Sequence, residues 1–136
     1  MKYKIIDDLT SDVMFEAYGK GLKELFENAA EAMFSIICKV DKVEKKKPIK
    51  VKVDADGVED LMIKWLQELI AVVDTEEMFL SKFNIKNIDE KHLEAECFGE
   101  EISPEKGETV VKAVTYYNFN LEKTKDGYKA CVTLDI

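Results

Sequence analysis

GKGLKELFENAAEAMFSIICK, residues 19–39, is the stretch from which the fold is read. Leu22, Leu25, Phe26, Ala29, Ala30, Met33, Phe34 and Ile37 recur at spacings of three and four. With 3.6 residues per turn these side chains share one stripe, so the segment predicts an amphipathic helix of about five turns with a buried face. Upstream, YKII (3–6) and VMFEAY (13–18) read as strands, and Gly19 ends the second. Between them DDLTSD (7–12) is rich in Asp and Ser, which hydrogen-bond their own backbone and favour a turn.

Downstream, PIKVKVDA (48–55) alternates Ile49, Val51 and Val53 with charged residues, the period of a half-buried strand. A second helix is predicted from about Val58 to Val73, with Leu61, Met62, Trp65, Leu66, Leu69, Ile70 and Val73 as its stripe. Trp65 is expected to anchor the core. Asp56 and Glu59 stand three apart, the spacing of a capping box. The rest reads as strands: MFLSKFNI (78–85), HLEAECFG (92–99), TVVKAVTYYNFNLEK (109–123) and YKACVTLDI (128–136). In the second of these, Leu93, Ala95 and Cys97 face in and Glu94 and Glu96 face out. Asp126-Gly127 is the hairpin signal before the last. The order ββαβα followed by four strands, without repeat or linker, predicts one α+β domain over residues 1–136. The expected form is two-layered, with both helices on one face of a sheet.

The 136 residues are 46% hydrophobic and 35% charged, a globular composition. No run approaches the ~20 apolar residues of a membrane span, and MKYKIIDDLTSD lacks the apolar core of a secretory signal. Three cysteines, Cys38, Cys97 and Cys131, form no CxxC pair and suggest neither a disulfide framework nor a zinc site. A cytoplasmic location is expected. The net charge is -8, and all 20 basic residues are lysines. Arginine makes the bidentate grips on phosphates and base edges. Its absence, with the acidic balance, argues against direct binding of RNA or DNA and for meeting a basic protein surface.

Two charge runs stand out. Residues 42–52 hold six lysines and one glutamate, and residues 89–108 hold eight acids and two lysines. The first reads as a nucleic-acid patch or as a lysine-guarded edge strand, and the guarded edge is the reading preferred. The second reads either as a surface for a basic partner or as a solvated strand face. No Gly-rich phosphate loop, nucleophile elbow or His/Glu metalloenzyme motif is present, and the single histidine, His92, leaves a catalytic thiol without a base. A non-enzyme is therefore expected.

Four segments in order resemble the archease family: DLTSDVMFEAYGKGLKELFENAAEAMF (8–34), VEDLMIKWLQELIAVVDTEEMF (58–79), VKAVTYYNFNLEK (111–123) and YKACVTLDI (128–136). The strand–Gly–Lys–helix entry and the C-terminal LDI are the specific parts. The resemblance implies a strand-helix-strand-strand core with a helical insertion. It implies a non-enzymatic activator, or chaperone, of the GTP-dependent RtcB-type RNA ligase that joins tRNA halves, with tRNA met only through the ligase. It also implies a divalent-metal site, usually calcium, with magnesium or manganese as alternatives. The implied ligands map to Asp12, Asp135 and the terminal carboxylate of Ile136. Those are hard oxygen donors, and three of them leave a six- to eight-coordinate calcium shell open. Where the family reads His-Thr-Ala-Asp this chain has Leu9-Thr10-Ser11-Asp12, and where it reads Thr-Tyr-His this chain has Thr115-Tyr116-Tyr117. Two other functions compete: a small hydrolase activating water on the Asp12/Asp135 cation, and a metal-free protein-interaction domain.

Overall fold

The computed structural model describes residues 1–8 and 12–136, with the backbone alone at Asp7 and Asp8. The elements are β1 (Tyr3–Asp8), β2 (Asp12–Gly19), α1 (Leu22–Ile37), β3 (Lys47–Asp54), α2 (Val58–Glu76), β4 (Met78–Ile88), β5 (His92–Glu101), β6 (Ala113–Thr124) and β7 (Gly127–Asp135). The α+β order matches the sequence pattern element for element. Of the polar turn expected over 7–12, residues 9–11 lie outside the described residues.

The strands divide into two antiparallel sheets rather than the single sheet expected, β1-β2-β7-β6 and β3-β5-β4. Alternation shows which face of a strand is apolar but not which strand it pairs with, because pairing is a long-range choice. β7 pairs with β2 and β6, and β5 pairs with β3 and β4. Each helix touches both sheets: α1 packs on β2 and β4, and α2 on β6 and β3. One core results, centred on Trp65, Phe15, Phe26 and Phe34, all fully buried. The Trp65 indole N–H donates to the Phe26 carbonyl at 3.0 Å, so the largest buried side chain has its one polar atom satisfied by the other helix.

Three local expectations change. Gly57, not Asp56, is the N-cap of α2, and no side chain caps it. Starting at Val58 puts Glu59 at the second helical position and Asp56 outside, so no capping box forms; Glu59 and Asp60 still place negative charge on the helix N-terminus. Residues 109–112 are not strand, although two valines are there. Glu108 N–H donates to the Ile37 carbonyl (2.9 Å) and Thr109 N–H to that of Ile36 (3.2 Å), so the segment satisfies the free end of α1 instead of extending β6. The last hairpin turns at Lys125–Asp126, with Gly127 opening β7 at φ 153°. A Cβ there would stand 2.2 Å from the Gly19 carbonyl oxygen, and one on Gly19 2.3 Å from the Leu25 nitrogen. These two glycines let the hairpin end and the start of α1 approach β2.

Candidate functional site

The site is built by two strands that alternate. On β2, Val13, Phe15 and Ala17 are buried in the core, so Asp12, Met14 and Glu16 point to the opposite face. On β7, Ala130, Val132 and Leu134 are core residues, so Cys131, Thr133 and Asp135 share that outer face. The register pairs Asp12 directly with Asp135, Met14 with Thr133 and Glu16 with Cys131. Directly opposite residues of an antiparallel pair have Cα atoms about 4.5–5.5 Å apart. Two aspartates far apart in sequence are thus brought face to face at one end of the sheet. Both are half-buried, and Ile136 follows at once, packed partly against the core.

The neighbourhood is ordered from the main chain. Lys112 N–H donates to the Asp135 carbonyl at 2.8 Å, and Ala113 of β6 lies opposite Asp135. Ile136 also lines a hollow of about 300 Å³ with Ile5, Val13, Ile36, Glu108 and Thr109.

Like charges placed opposite each other across an antiparallel pair are destabilising. Glu16, two steps along the same face, is compensated: Tyr18 Oη donates to it at 2.6 Å, and Lys4 and Lys129 stand at 3.8 and 3.9 Å. Partial burial, and then that hydrogen bond, push the Tyr18 hydroxyl up to about 12. Asp12 and Asp135 have no lysine within 4 Å among the described residues. Thr133 adds an oxygen on the same face that sequence reading missed. It is 1% exposed, and its hydroxyl has no hydrogen-bond partner among the described residues. The alternation Val132-Thr133-Leu134 carried the signal, because it sets Thr133 on the face of Asp135.

These donors fit a hard cation in kind, being carboxylate and hydroxyl oxygens. No group of three Asp, Glu, His or Cys side chains among the described residues suffices for a metal. Two aspartates therefore need a further donor, such as the carboxylate of Ile136. Of the residues at the two positions where the family carries histidine, Leu9 lies outside the described residues. Tyr117 is exposed, and its N–H donates to Thr115 Oγ1 at 3.0 Å, one strand away from Thr133. Neighbouring Tyr116 donates from its hydroxyl to Asp60 of α2 at 3.0 Å.

The remaining candidates are separated from this pair. His92 is on the other sheet, with Nδ1 2.9 Å from Asp54. Cys38 and Cys97 are buried, which pushes both thiols up to about 12. The second half of the lysine run lies on β3, an edge of its sheet, and pairs with the acidic run next to it: Lys47 with Glu101 at 2.8 Å and Lys52 with Glu94 at 3.9 Å. The two charge runs thus spend part of their charge on each other. No helix among the described residues is long and apolar enough to cross a membrane.

Fold and register define a class: an α+β protein of two helices and two antiparallel sheets, with paired aspartates at one end of the four-stranded sheet. The model of the Archease protein family matches residues 3–136. A curated archease of Sulfurisphaera tokodaii is 41% identical over 131 residues, covering 93% of this chain and 94% of its own. One of Methanosarcina acetivorans is 40% identical over 141 residues, covering 99% and 96%. A solution structure of a Methanobacterium thermoautotrophicum protein superposes with a TM-score of 0.84 at 34% identity, over 99% of both chains. A Thermotoga maritima archease described as a possible chaperone shares the fold, with a TM-score of 0.72 at 19% identity over 96% and 95%. The chain belongs to the archease family.

Proposed function

We propose that this chain is a non-enzymatic activator of an RtcB-type, GTP-dependent RNA ligase of tRNA splicing. It would act in the cytoplasm through a divalent cation, calcium by preference over magnesium or manganese, held by Asp12, Asp135 and the carboxylate of Ile136. The observation that carries the reading is the Asp12–Asp135 pair, in register across β2 and β7, with no lysine within 4 Å among the described residues. The partner class is what the resemblance of the sequence motifs implies, and a relative of the same fold is described as a possible chaperone. Bound there, a cation would neutralise the pair and offer its open positions to oxygens of the partner.

The chain's own residues set the terms. Val13 and Leu134, buried beside the pair, fix the two strand ends and so hold Asp12 and Asp135 on the same face. With no arginine and a net charge of -8, the chain suits contact with a basic protein, and tRNA is reached only through the ligase. A hydrolase would need a base beside the cation; the one histidine is bonded to Asp54 on the other sheet, which leaves that role to a carboxylate such as Asp7 or Asp8.

The test is the ligase guanylylation rate at fixed GTP and calcium. Asp12→Ala, and separately one extra residue after Ile136, should each abolish stimulation while circular dichroism stays that of the parent. Asp12 is half-buried at a strand end, so truncating it leaves no core cavity. Stimulation equal to the parent's by both variants would sink the reading.

A further inference from the structure

Where α2 ends, the molecule carries a second surface that the carboxylate pair does not use. Two adjoining hollows, of about 620 and about 430 Å³, meet at Glu77 and Ile102. The smaller has an apolar floor that includes Ile37, Ile70, Val73 and Phe79. Two aliphatic side chains are left open on it, Val110 at 80% and Ile102 at 42% exposure. The walls are tied together: Ile102 N–H donates to the Glu77 carbonyl at 3.0 Å, and Glu108 N–H to that of Ile37 at 2.9 Å. The groove is therefore formed before anything binds.

Its rim is one-sided in charge. Asp74, Glu76, Glu77, Glu101 and Glu108 line the two hollows against one lysine, Lys47, which is already bonded to Glu101 at 2.8 Å. Among the described residues, no lysine stands within 4 Å of Asp74, Glu76, Glu77 or Glu108. Glu77 makes the second point. It ends α2 at φ 54°, ψ 47°, the left-handed conformation in which glycine is the usual helix stop. A Cβ-bearing residue there is strained, and such strain clusters at functional sites. The strained residue is the carboxylate that borders both hollows.

We propose that this groove docks a short apolar segment of a partner protein, flanked by lysine or arginine. The floor buries the aliphatic side chains, and the unpaired rim carboxylates take the flanking cations. A second copy of this chain meeting the groove symmetrically would bring the same carboxylates against the rim and be repelled, and a nucleic acid would be repelled by its phosphates. The inference stands apart from the ligase reading, because its probe is a peptide and its readout is binding.

The experiment titrates the ¹⁵N-labelled chain with three synthetic heptapeptides. One has three central aliphatic residues between paired lysines, one has glutamates in place of the lysines, and one keeps the lysines around three serines. The first should shift the amides of Val73, Ile102 and Val110 and bind about tenfold tighter than either control, the ~1.4 kcal/mol that one decade represents. Val110→Asp should weaken it several-fold. Glu77→Gly should also weaken it with no fall in melting temperature, since glycine relieves the left-handed strain, and that separates binding from folding. Equal binding of the serine peptide, shifts spread over the whole acidic surface, or groove shifts that follow protein concentration without peptide would each overturn the proposal.

Discussion

The two sheets treat charge in opposite ways. In β3-β5-β4 the facing positions of the outer surface are complementary: Lys52 opposite Glu94, Lys50 opposite Glu96, and Asp54 opposite His92 at 2.9 Å. In β1-β2-β7-β6 the same rule holds for most of the face, with Lys4 opposite Glu16 and Glu122 opposite Lys129. It fails at one end, where Asp12 faces Asp135. Complementary cross-strand pairs each contribute about 0.2–1 kcal/mol, and like pairs cost a similar amount. The second sheet therefore uses its charges for register and solubility. The first tolerates an unfavourable pair at the rim where the chain's last residues lie, which is where a site selected for something other than stability would show itself.

The contrast assumes one cooperative body, and the largest expected effect tests that. Trp65→Ala removes a fully buried side chain on α2, which like α1 touches both sheets, and should cost about 3–5 kcal/mol. Chemical denaturation followed by circular dichroism gives the loss, and amide exchange should show both sheets opening together. Protection that persisted in β3-β5-β4 alone would mean two separable units.

Next in size is the like-charged pair itself. Without divalent cation, Asp12→Asn should raise stability by about 0.2–1 kcal/mol, by removing one of two facing charges. With millimolar calcium the order should reverse: the parent's melting temperature rises and that of the variant does not, because binding to the folded state stabilises by mass action. Calorimetry in chelator and in calcium reads both. An equal calcium response in the two proteins would remove the cation from the argument. The matching change on the second sheet, Lys52→Glu opposite Glu94, should cost about 0.5 kcal/mol. That cost should shrink in high salt, since both side chains are largely exposed, and calcium should have no bearing on it.

The smallest effect contrasts the two sheet faces through their thiols. Burial pushes Cys97, on the inner face of β5, and Cys38, at the end of α1, up to about 12. Cys131, on the outer face of β7, is only half-buried, and its thiol is raised mainly by that partial burial. At pH 8 a thiol reagent should modify Cys131 well before the other two. The raised thiols also set a sign. Well below pH 9 they are protonated folded or unfolded, so they leave stability unchanged. From 9 to about 12 only the unfolded chain ionises, so their contribution is lost as pH rises. Melting temperatures measured across that window check it.

Much of this was legible in the sequence because it depends on neighbours along the chain. Side chains at spacings of three and four lie on one helix face whatever the rest of the molecule does, so the stripe of Leu25, Phe26, Ala29 and Met33 fixed α1, and that of Leu61, Trp65 and Leu69 fixed α2. Alternation assigned Leu93, Ala95 and Cys97 to the core in the same way. Even the aspartates could be named, through the resemblance of their flanking motifs. What only the tertiary structure decided depends on pairs far apart in sequence. The partition into two sheets, the cap that moved to Gly57, the diversion of 109–112 onto the end of α1 and the groove around Glu77 are competitions among distant partners for the same hydrogen bonds and the same space. The register that sets Asp12 against Asp135 is of this kind: a slip of one residue would turn one carboxylate to the core face, and only the packed interior, with Val13 and Leu134 both buried, forbids it.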